Sequence, residues 1–283
     1  MLALMKRNIT LYFRNRVGML MSLLGALISF FIYVCFLQNN LVSSWEHVSN
    51  IKSLLDGWMI GGILAITGLT TAFAVMGQLV NDRTEDVYWD FEMTALTPLK
   101  ISLSYFGSTA FVSFIMQLIV FGIMVGYFSW QDNFMIDGNE LLLLLLVTII
   151  NTIFSTIFSL LIVEFINTHT IYSRVAAIIG TLVGFMVATY MPMGVLSVNA
   201  QRFIKLFPGA YIAASYREIL TKHYIINDFP QNMRPEFTKF LGIKLSITRH
   251  LLTNSENLLL VLGASLLGLI LFIVINHLKY KRN

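Results

Sequence analysis

Charged side chains are scarce in this sequence. Asp, Glu, Lys and Arg make up only 12% of its 283 residues, whereas 57% of the residues are hydrophobic. Soluble proteins average about 25% charged and about 45–50% apolar residues, and a soluble fold of this size has too little interior to bury the excess. The composition therefore predicts an integral membrane protein, with residues 1–283 forming a single domain of several spans.

Cysteine and dense basic runs are also nearly absent. The one cysteine, Cys35, lies in an apolar run and cannot close a disulfide within the chain, so cysteine usage does not indicate a redox compartment. The net charge is +4, and no basic run is interleaved with aromatic residues. This distribution excludes a nucleic-acid surface and favours attraction to anionic lipid headgroups.

Motifs for catalysis and nucleotide binding are missing. The sequence has no G-x-x-x-x-G-K-[ST] phosphate loop, no H-E-x-x-H zinc motif and no G-x-S-x-G nucleophile turn. Its five histidines are scattered without metal-ligand spacing. We therefore expect no catalytic site, no metal and no cofactor in this chain. The alternative interpretation, a membrane-embedded enzyme, is supported by no motif in the sequence.

Six apolar segments are long enough to cross a bilayer, which takes about 20 residues. They cover residues 17–37, 57–77, 101–127, 141–163, 175–196 and 258–275. Ion-coupled carriers place ionisable residues inside their spans, but the middles of these six contain no Asp, Glu, Lys, Arg or His. The segments predict an all-α protein with six transmembrane helices, in which energy for any transport comes from another chain.

Lysine and arginine in the short flanks indicate the orientation, because they concentrate on the cytoplasmic side. One side carries Lys6, Arg7, Arg14, Arg16, Arg83, Lys100, Arg174, Lys279, Lys281 and Arg282. The other side has Lys52 in the loop after the first span. Both termini are therefore predicted to be cytoplasmic. Residues 197–257, on the outer side, hold eight further basic residues, but this segment lies at the limit of about 60 residues to which the rule applies.

The N-terminal segment, residues 1–16, has the periodicity of an amphipathic helix. Leu2, Met5, Ile9, Tyr12 and Phe13 share one helical face, and Lys6, Arg7, Thr10, Arg14 and Asn15 share the other. The pattern, together with Arg16, predicts a helix that lies on the inner membrane surface. The alternative is ordinary basic flanking sequence.

The outer segment, residues 197–257, is more apolar than a simple loop. Pro208-Gly209 is followed by residues with helical spacing up to Leu220, which predicts short helices that re-enter the membrane. A central arginine in a bilayer costs about 2.5–3.5 kcal/mol even on the mildest scale. We therefore expect Arg217 and Glu218 at the membrane boundary. A fully solvated loop helix is the alternative.

The cytoplasmic loop of residues 78–100 combines acids with large aromatics. The acids are Asp82, Glu85, Asp86, Asp90 and Glu92, and the aromatics are Tyr88, Trp89 and Phe91. Thr97-Pro98 ends the segment, because the residue before proline disfavours the α conformation. A short helix with both kinds of side chain could dock in a groove of a soluble partner. A solvated loop with aromatics anchored at the interface is the alternative.

Three groups of residues together resemble the permeases of type-2 ABC exporters. The first is Asp82-Arg83, Asp90-Phe91 and Thr97-Pro98-Leu99 in the cytoplasmic loop. The second is Lys6-Arg7-Asn8 with residues 12–16, and the third is Phe207-Pro208-Gly209 with residues 216–220. The resemblance covers essentially the whole chain. Thr84, Glu85 and Asp86 stand where that family often has glycine, and the spacing from Phe91 to Pro98 is longer than usual.

The resemblance implies the membrane subunit of an ATP-driven exporter in a bacterial plasma membrane. Two permease chains would bind two copies of a separate ATPase, which holds ATP and Mg²⁺. The implied ATPase-coupling residues are Asp82, Arg83, Glu85, Asp86, Tyr88, Trp89, Asp90, Phe91 and Pro98. The cargo would be a drug, antibiotic or amphipathic peptide, with a lipid-linked glycan as second choice. A membrane sensor or immunity protein that binds a lipid or peptide without moving it is the alternative.

Overall fold

The computed structural model describes residues 1–45, 48–94, 96–247 and 250–282. For residues 139, 276, 277 and 279–282 it describes the backbone without the side chains. The basic side chains of Lys279, Lys281 and Arg282, and the whole of Arg249, therefore lie outside the described part of the chain.

The described chain is almost entirely helical. Its helices are α1 (Leu2–Arg14), α2 (Arg16–Ser22), α3 (Leu24–Ile32), a π turn (Tyr33–Leu37), α4 (Gln38–Ser44), α5 (Ile51–Thr84), α6 (Val87–Glu92), α7 (Pro98–Asp132), α8 (Gly138–Val163), α9 (His169–Met186), a 3₁₀ turn (Met193–Val195), α10 (Val198–Ile204), α11 (Pro208–Asp228), α12 (Arg234–Leu241) and α13 (Asn254–Arg282). Two short antiparallel strands, β1 (Ser246–Ile247) and β2 (His250–Leu251), precede α13.

Six helical segments are long and apolar enough to span a membrane. They are Leu24–Ser44, Ile51–Thr84, Pro98–Asp132, Glu140–Val163, His169–Met186 and Asn254–Ile275. The prediction of a helical protein with six such segments is confirmed. The second, third, fourth and sixth segments each contain the whole of the corresponding apolar range predicted from the sequence. The first and the fifth segments have different bounds from those predicted.

The first spanning segment begins and ends seven residues later than predicted. The side chain of Asn15 accepts a hydrogen bond from the Gly18 amide and so begins the separate helix α2. Val17 therefore belongs to α2, and Arg16 lies outside the first helix, α1. The spanning segment starts at Leu24 and continues through the π turn into the polar helix α4.

The fifth spanning segment ends at Met186 instead of residue 196. Two residues later Ala188 adopts a left-handed backbone conformation, with φ of 50°. This conformation is costly for a residue with a Cβ atom, and it stops the helix. The chain then turns through Pro192 into α10.

Helix α5 is the centre of the bundle. In its most apolar part 94% of the residues are buried, compared with 28% for the first spanning segment, 11% for α9 and 17% for α13. Helices α7, α8 and α11 cover α5 most extensively. Polar side chains join these helices: Asn151 Nδ2 donates to the Leu64 carbonyl at 3.1 Å and to Gln117 Oε1 at 2.8 Å. Such bonds are a common means of joining transmembrane helices.

Helix α11 runs antiparallel to α5 at very short distance. A Cβ atom on Gly57 would lie 2.9 Å from the Leu220 carbonyl oxygen, and one on Gly61 would lie 2.9 Å from the Arg217 nitrogen. Pro208 begins the helix nine residues before Arg217, which corresponds to about 13 Å at 1.5 Å per residue. The start of α11 therefore lies level with the middle of α5, and its end lies near the first turns of α5.

Candidate functional site: the loop between α5 and α7

A buried carboxylate fastens the loop to the bundle. Asp82, in the last turns of α5, is fully buried. It accepts hydrogen bonds from both terminal nitrogens of Arg7 at 2.7 and 2.8 Å, from Gln78 Nε2 at 2.8 Å and from the Tyr105 hydroxyl. The bonds from Arg7 to Asp82 raise the pKa of the arginine. The bidentate geometry and full satisfaction of the carboxylate are those of a strong structural ion pair.

A second ion pair lies beside the first. Arg83 Nη2 is 3.0 Å from Glu164 Oε2, which lies immediately after α8. The same guanidinium is positioned over the ring of Tyr88, 5.6 Å from its centre. The guanidinium of Arg7 lies 5.3 Å from the ring centre of Phe91. Two arginines therefore hold the short helix α6 against α1, α5 and α8 through its aromatic side chains.

The outer face of α6 is exposed and chemically mixed. We call Glu85, Asp86, Trp89, Asp90, Glu92 and Met93 the α6 surface. Trp89 is 55% exposed and Met93 is 86% exposed, and the four acids surround them in sequence and are exposed. Asp86 precedes the helix with a φ of 61°. Two large apolar side chains are therefore exposed among acids at this short helix.

The structure thus divides the nine predicted coupling residues into two groups. Asp82 is buried, and Arg83, Tyr88 and Phe91 are half-buried supports that contact the bundle. Glu85, Asp86, Trp89 and Asp90 face outward. Pro98, at the first position of α7, is exposed.

Helix α1 packs along α7 and contributes one arginine to the site. Its buried residues are Leu4, Asn8 and Tyr12, and the Tyr12 hydroxyl is 2.9 Å from Ser22 Oγ. Lys6, Phe13, Arg14 and Arg16 are exposed. The buried side is rotated from the predicted apolar face, because Arg7 turns inward to Asp82.

A cavity of about 510 Å³ lies beside the site, between α1, α2, α5 and α9. Its lining includes the side chains of Asn8, Asn15, Gln78, Asn81 and Tyr172, together with the apolar Phe73 and Ile179. Asn81 Oδ1 is buried and has no hydrogen-bond partner among the described residues. The cavity therefore combines amide groups with an apolar wall.

The segment of residues 197–257 has a buried arginine of its own. Arg217 is 1% exposed; its Nε donates to the Trp58 carbonyl at 3.2 Å, and its Nη2 donates to the Ala188 carbonyl at 2.9 Å and to Thr189 Oγ1 at 3.1 Å. Its guanidinium also lies 4.8 Å from the centre of the Trp58 ring. Glu218 is partly exposed, with Lys244 Nζ at 3.5 Å. Pro208 and Gly209 form the first turn of α11.

Sequence reasoning missed the partners that complete these clusters. Tyr105, Gln78 and Glu164 each lie on a predicted span or at its boundary, and no local pattern linked them to Asp82 or Arg83. Met93 was also missed, although its position four residues after Trp89 is a helical spacing.

Comparisons with known proteins add no family. Scans of protein-family models, of curated proteins and of solved structures found no match to this chain.

Proposed function

We propose that this chain is the membrane subunit of an ATP-driven exporter, similar to the permeases of type-2 ABC exporters. The α6 surface carries the proposal. It is an exposed set of acids around Trp89 and Met93, on a short helix that two arginines hold against the bundle.

The chemistry of this surface suits an ATPase that docks on it. Binding energy at protein interfaces concentrates in a few buried anchors, often tryptophan, whose truncation costs about 2 kcal/mol or more. Exposed ion pairs contribute only about 0–1 kcal/mol each, so the acids would steer a basic partner and Trp89 would anchor it. Movement of the docked ATPase would reach α1 through Arg7 and α8 through Arg83.

The surfaces left open suit a pair of permease chains. The first spanning segment, α9 and α13 are buried over only a small part of their length, so they would face lipid or a second chain. Two ATPase copies would bind ATP and Mg²⁺, and the cargo would pass between the two permeases. The cavity of amide groups and apolar wall favours an amphipathic cargo, such as a drug, antibiotic or peptide, with a lipid-linked glycan second.

The orientation belongs to the same proposal. Both termini and the α6 surface would be cytoplasmic, in a bacterial plasma membrane, with α1 on the inner membrane surface. Helices α10 and α11 would form the re-entrant segment on the outer side. The start of α11 level with the middle of α5 supports this arrangement.

The test is to purify the tagged chain from membranes of its own host and to measure the ATPase that remains bound. We expect Trp89→Ala to lose most of the bound ATPase and of transport, because it removes the exposed anchor. The matched control is Trp130→Ala, an 82% exposed tryptophan near the other end of α7. Phe91→Ala is a poorer test, since Phe91 also contacts Arg7.

Two outcomes contradict the proposal. If Trp89→Ala inserts normally, retains the ATPase and supports transport, the α6 surface is not the docking site. If no ATPase is retained by the wild-type chain, the reading as a non-transporting sensor or immunity protein is favoured.

A further inference from the structure

The end of the bundle opposite Asp82 holds another buried carboxyl group. Asp56, in the second turn of α5, has a fully buried side chain. Its Oδ1 accepts hydrogen bonds from the Tyr33 hydroxyl at 2.6 Å and from Gln38 Nε2 at 3.0 Å. Its Oδ2 is buried and has no hydrogen-bond partner within the described chain. Asp56 lies one residue before the predicted second span, so the expectation that the middles of the spans lack ionisable residues did not cover it.

A second carboxyl group stands next to Asp56. Gln38 Nε2 also donates to Asp132 Oδ2 at 3.1 Å, so one amide nitrogen lies about 3 Å from an oxygen of each carboxyl group. Asp132 is the last residue of α7, and its backbone carbonyl accepts a hydrogen bond from Ser53. Acids from α5 and α7 therefore meet at one amide of α4.

Within the described part of the chain, no basic side chain forms an ion pair with either acid. Among the ion pairs of the described residues, none includes Asp56 or Asp132. Among the described residues, the titratable groups that face Asp56 from the neighbouring helices are Tyr33, Asp132 and Tyr224, and none of these three is a cation. Two ionised carboxylates in contact repel each other, and a buried carboxylate oxygen without a donor is strongly unfavourable.

We propose that Asp56 and Asp132 form a proton-binding site, in which Asp56 Oδ2 carries the proton and donates it in a hydrogen bond to the carboxylate of Asp132. One proton removes the repulsion and gives the orphaned oxygen a partner. With the proton bound, the site joins the π turn, α4, α5 and α7. When the proton leaves, the two carboxylates repel each other and push α5 and α7 apart. Proton loss therefore loosens this end of the bundle. The site is independent of the proposed docking of an ATPase.

Infrared spectroscopy of the purified protein in detergent tests the proposal directly. At neutral pH the wild type should show the C=O stretching band of a protonated carboxyl group, and Asp56→Asn should lose it. Asp132→Asn, which replaces the acceptor, should shift or weaken the band. Asp137→Asn is the matched control, since this exposed acid lies at the same end of the bundle, and it should leave the band unchanged. If the difference spectrum between the wild type and Asp56→Asn shows no C=O stretching band of a protonated carboxyl group, the proposal is wrong.

Unfolding as a function of pH gives a second readout. An unfolded aspartate releases its proton near pH 3.9, whereas the proposed site would hold its proton to higher pH, because losing it leaves two adjacent carboxylates that repel each other. Stability therefore falls as pH rises above about 4, for as long as the folded state binds more protons than the unfolded state. The wild type and Asp137→Asn should lose stability between about pH 5 and about pH 8, and Asp56→Asn should lose much less over this range. An equal loss in all three proteins contradicts the site.

Discussion

Individual carboxylates in this protein have different roles, and their surroundings decide which. Asp82 and Asp90 are eight residues apart in the same acidic segment. Asp82 is buried and accepts bonds from Arg7, Gln78 and Tyr105, whereas Asp90 is exposed on the α6 surface. A buried charge that loses its partner costs far more than an exposed charge that loses its own.

Asp82→Ala should therefore destabilise the protein strongly. It leaves four hydrogen-bond donors on three side chains without their acceptor, and breaking a buried ion pair typically costs about 3–5 kcal/mol. Since Arg7 is about one third exposed, we expect a loss near the lower end of that range. Asp90→Ala, the control on the same segment, should change stability by less than about 0.5 kcal/mol. Denaturation in detergent micelles measures both, and equal stability of the two variants would contradict the structural role of Asp82.

At the scale of the helices, glycines set how closely α11 approaches α5. Gly57 and Gly61 lie one turn apart on one face of α5, and both meet backbone atoms of α11. Small residues four apart are the usual means by which membrane helices come into close contact. The position of Arg217 beside Trp58 depends on this approach, because both residues lie at the same contact.

Gly61→Ala should move α11 away from α5. The added methyl group would meet the Arg217 backbone nitrogen at 2.9 Å, and overpacking of this kind costs about 1–3 kcal/mol. Gly122→Ala on α7 is the control, since a Cβ atom there has no neighbour within 4 Å among the described residues. Alanine favours a helix over glycine by about 1 kcal/mol, so this variant should be as stable as the wild type or more so. A destabilised control with an unaffected Gly61→Ala would contradict the contact.

The elements also show how far the sequence alone could lead. Long apolar runs predicted six spanning helices, because lipid imposes that length on every span. The end of α9 was not predicted, because it depends on the left-handed backbone of Ala188. The burial of α11 was not predicted either, because its sequence contains many polar residues. Within the candidate site, the acids and aromatics of α6 were visible in sequence. The division into buried supports and an exposed face was not, because Arg7 and Glu164 are distant from the loop along the chain.

At the scale of the whole molecule, the two ends of the bundle differ in character. Ion pairs between arginine and acid fasten the end near α6, whereas two acids that form no ion pair within the described residues meet at the other end. The basic flanks predict that the end near α6 is cytoplasmic. Each end has an exposed position suitable for a probe, Asp86 before α6 and Gln231 between α11 and α12.

Cysteine labelling in intact cells checks this orientation. In a Cys35→Ala background, Gln231→Cys should react with a membrane-impermeant maleimide from outside. Asp86→Cys should react only after the membrane is permeabilised. The opposite pattern would invert the topology, and with it the assignment of the α6 surface to the cytoplasm.

The central position of α5 has a consequence for how the protein is made. Chains are synthesised from the N-terminus, so α5 enters the bilayer when α7, α8, α9 and α11 have not yet left the ribosome. At that stage the glycines of α5 and its Thr67 and Thr71, which are buried in the finished bundle, face lipid. Asp56 can already accept the hydrogen bond from Tyr33, but Asp132 is not yet present beside it. The helix that the finished bundle covers most completely is therefore placed in the membrane while only the segments N-terminal to it are present to cover it.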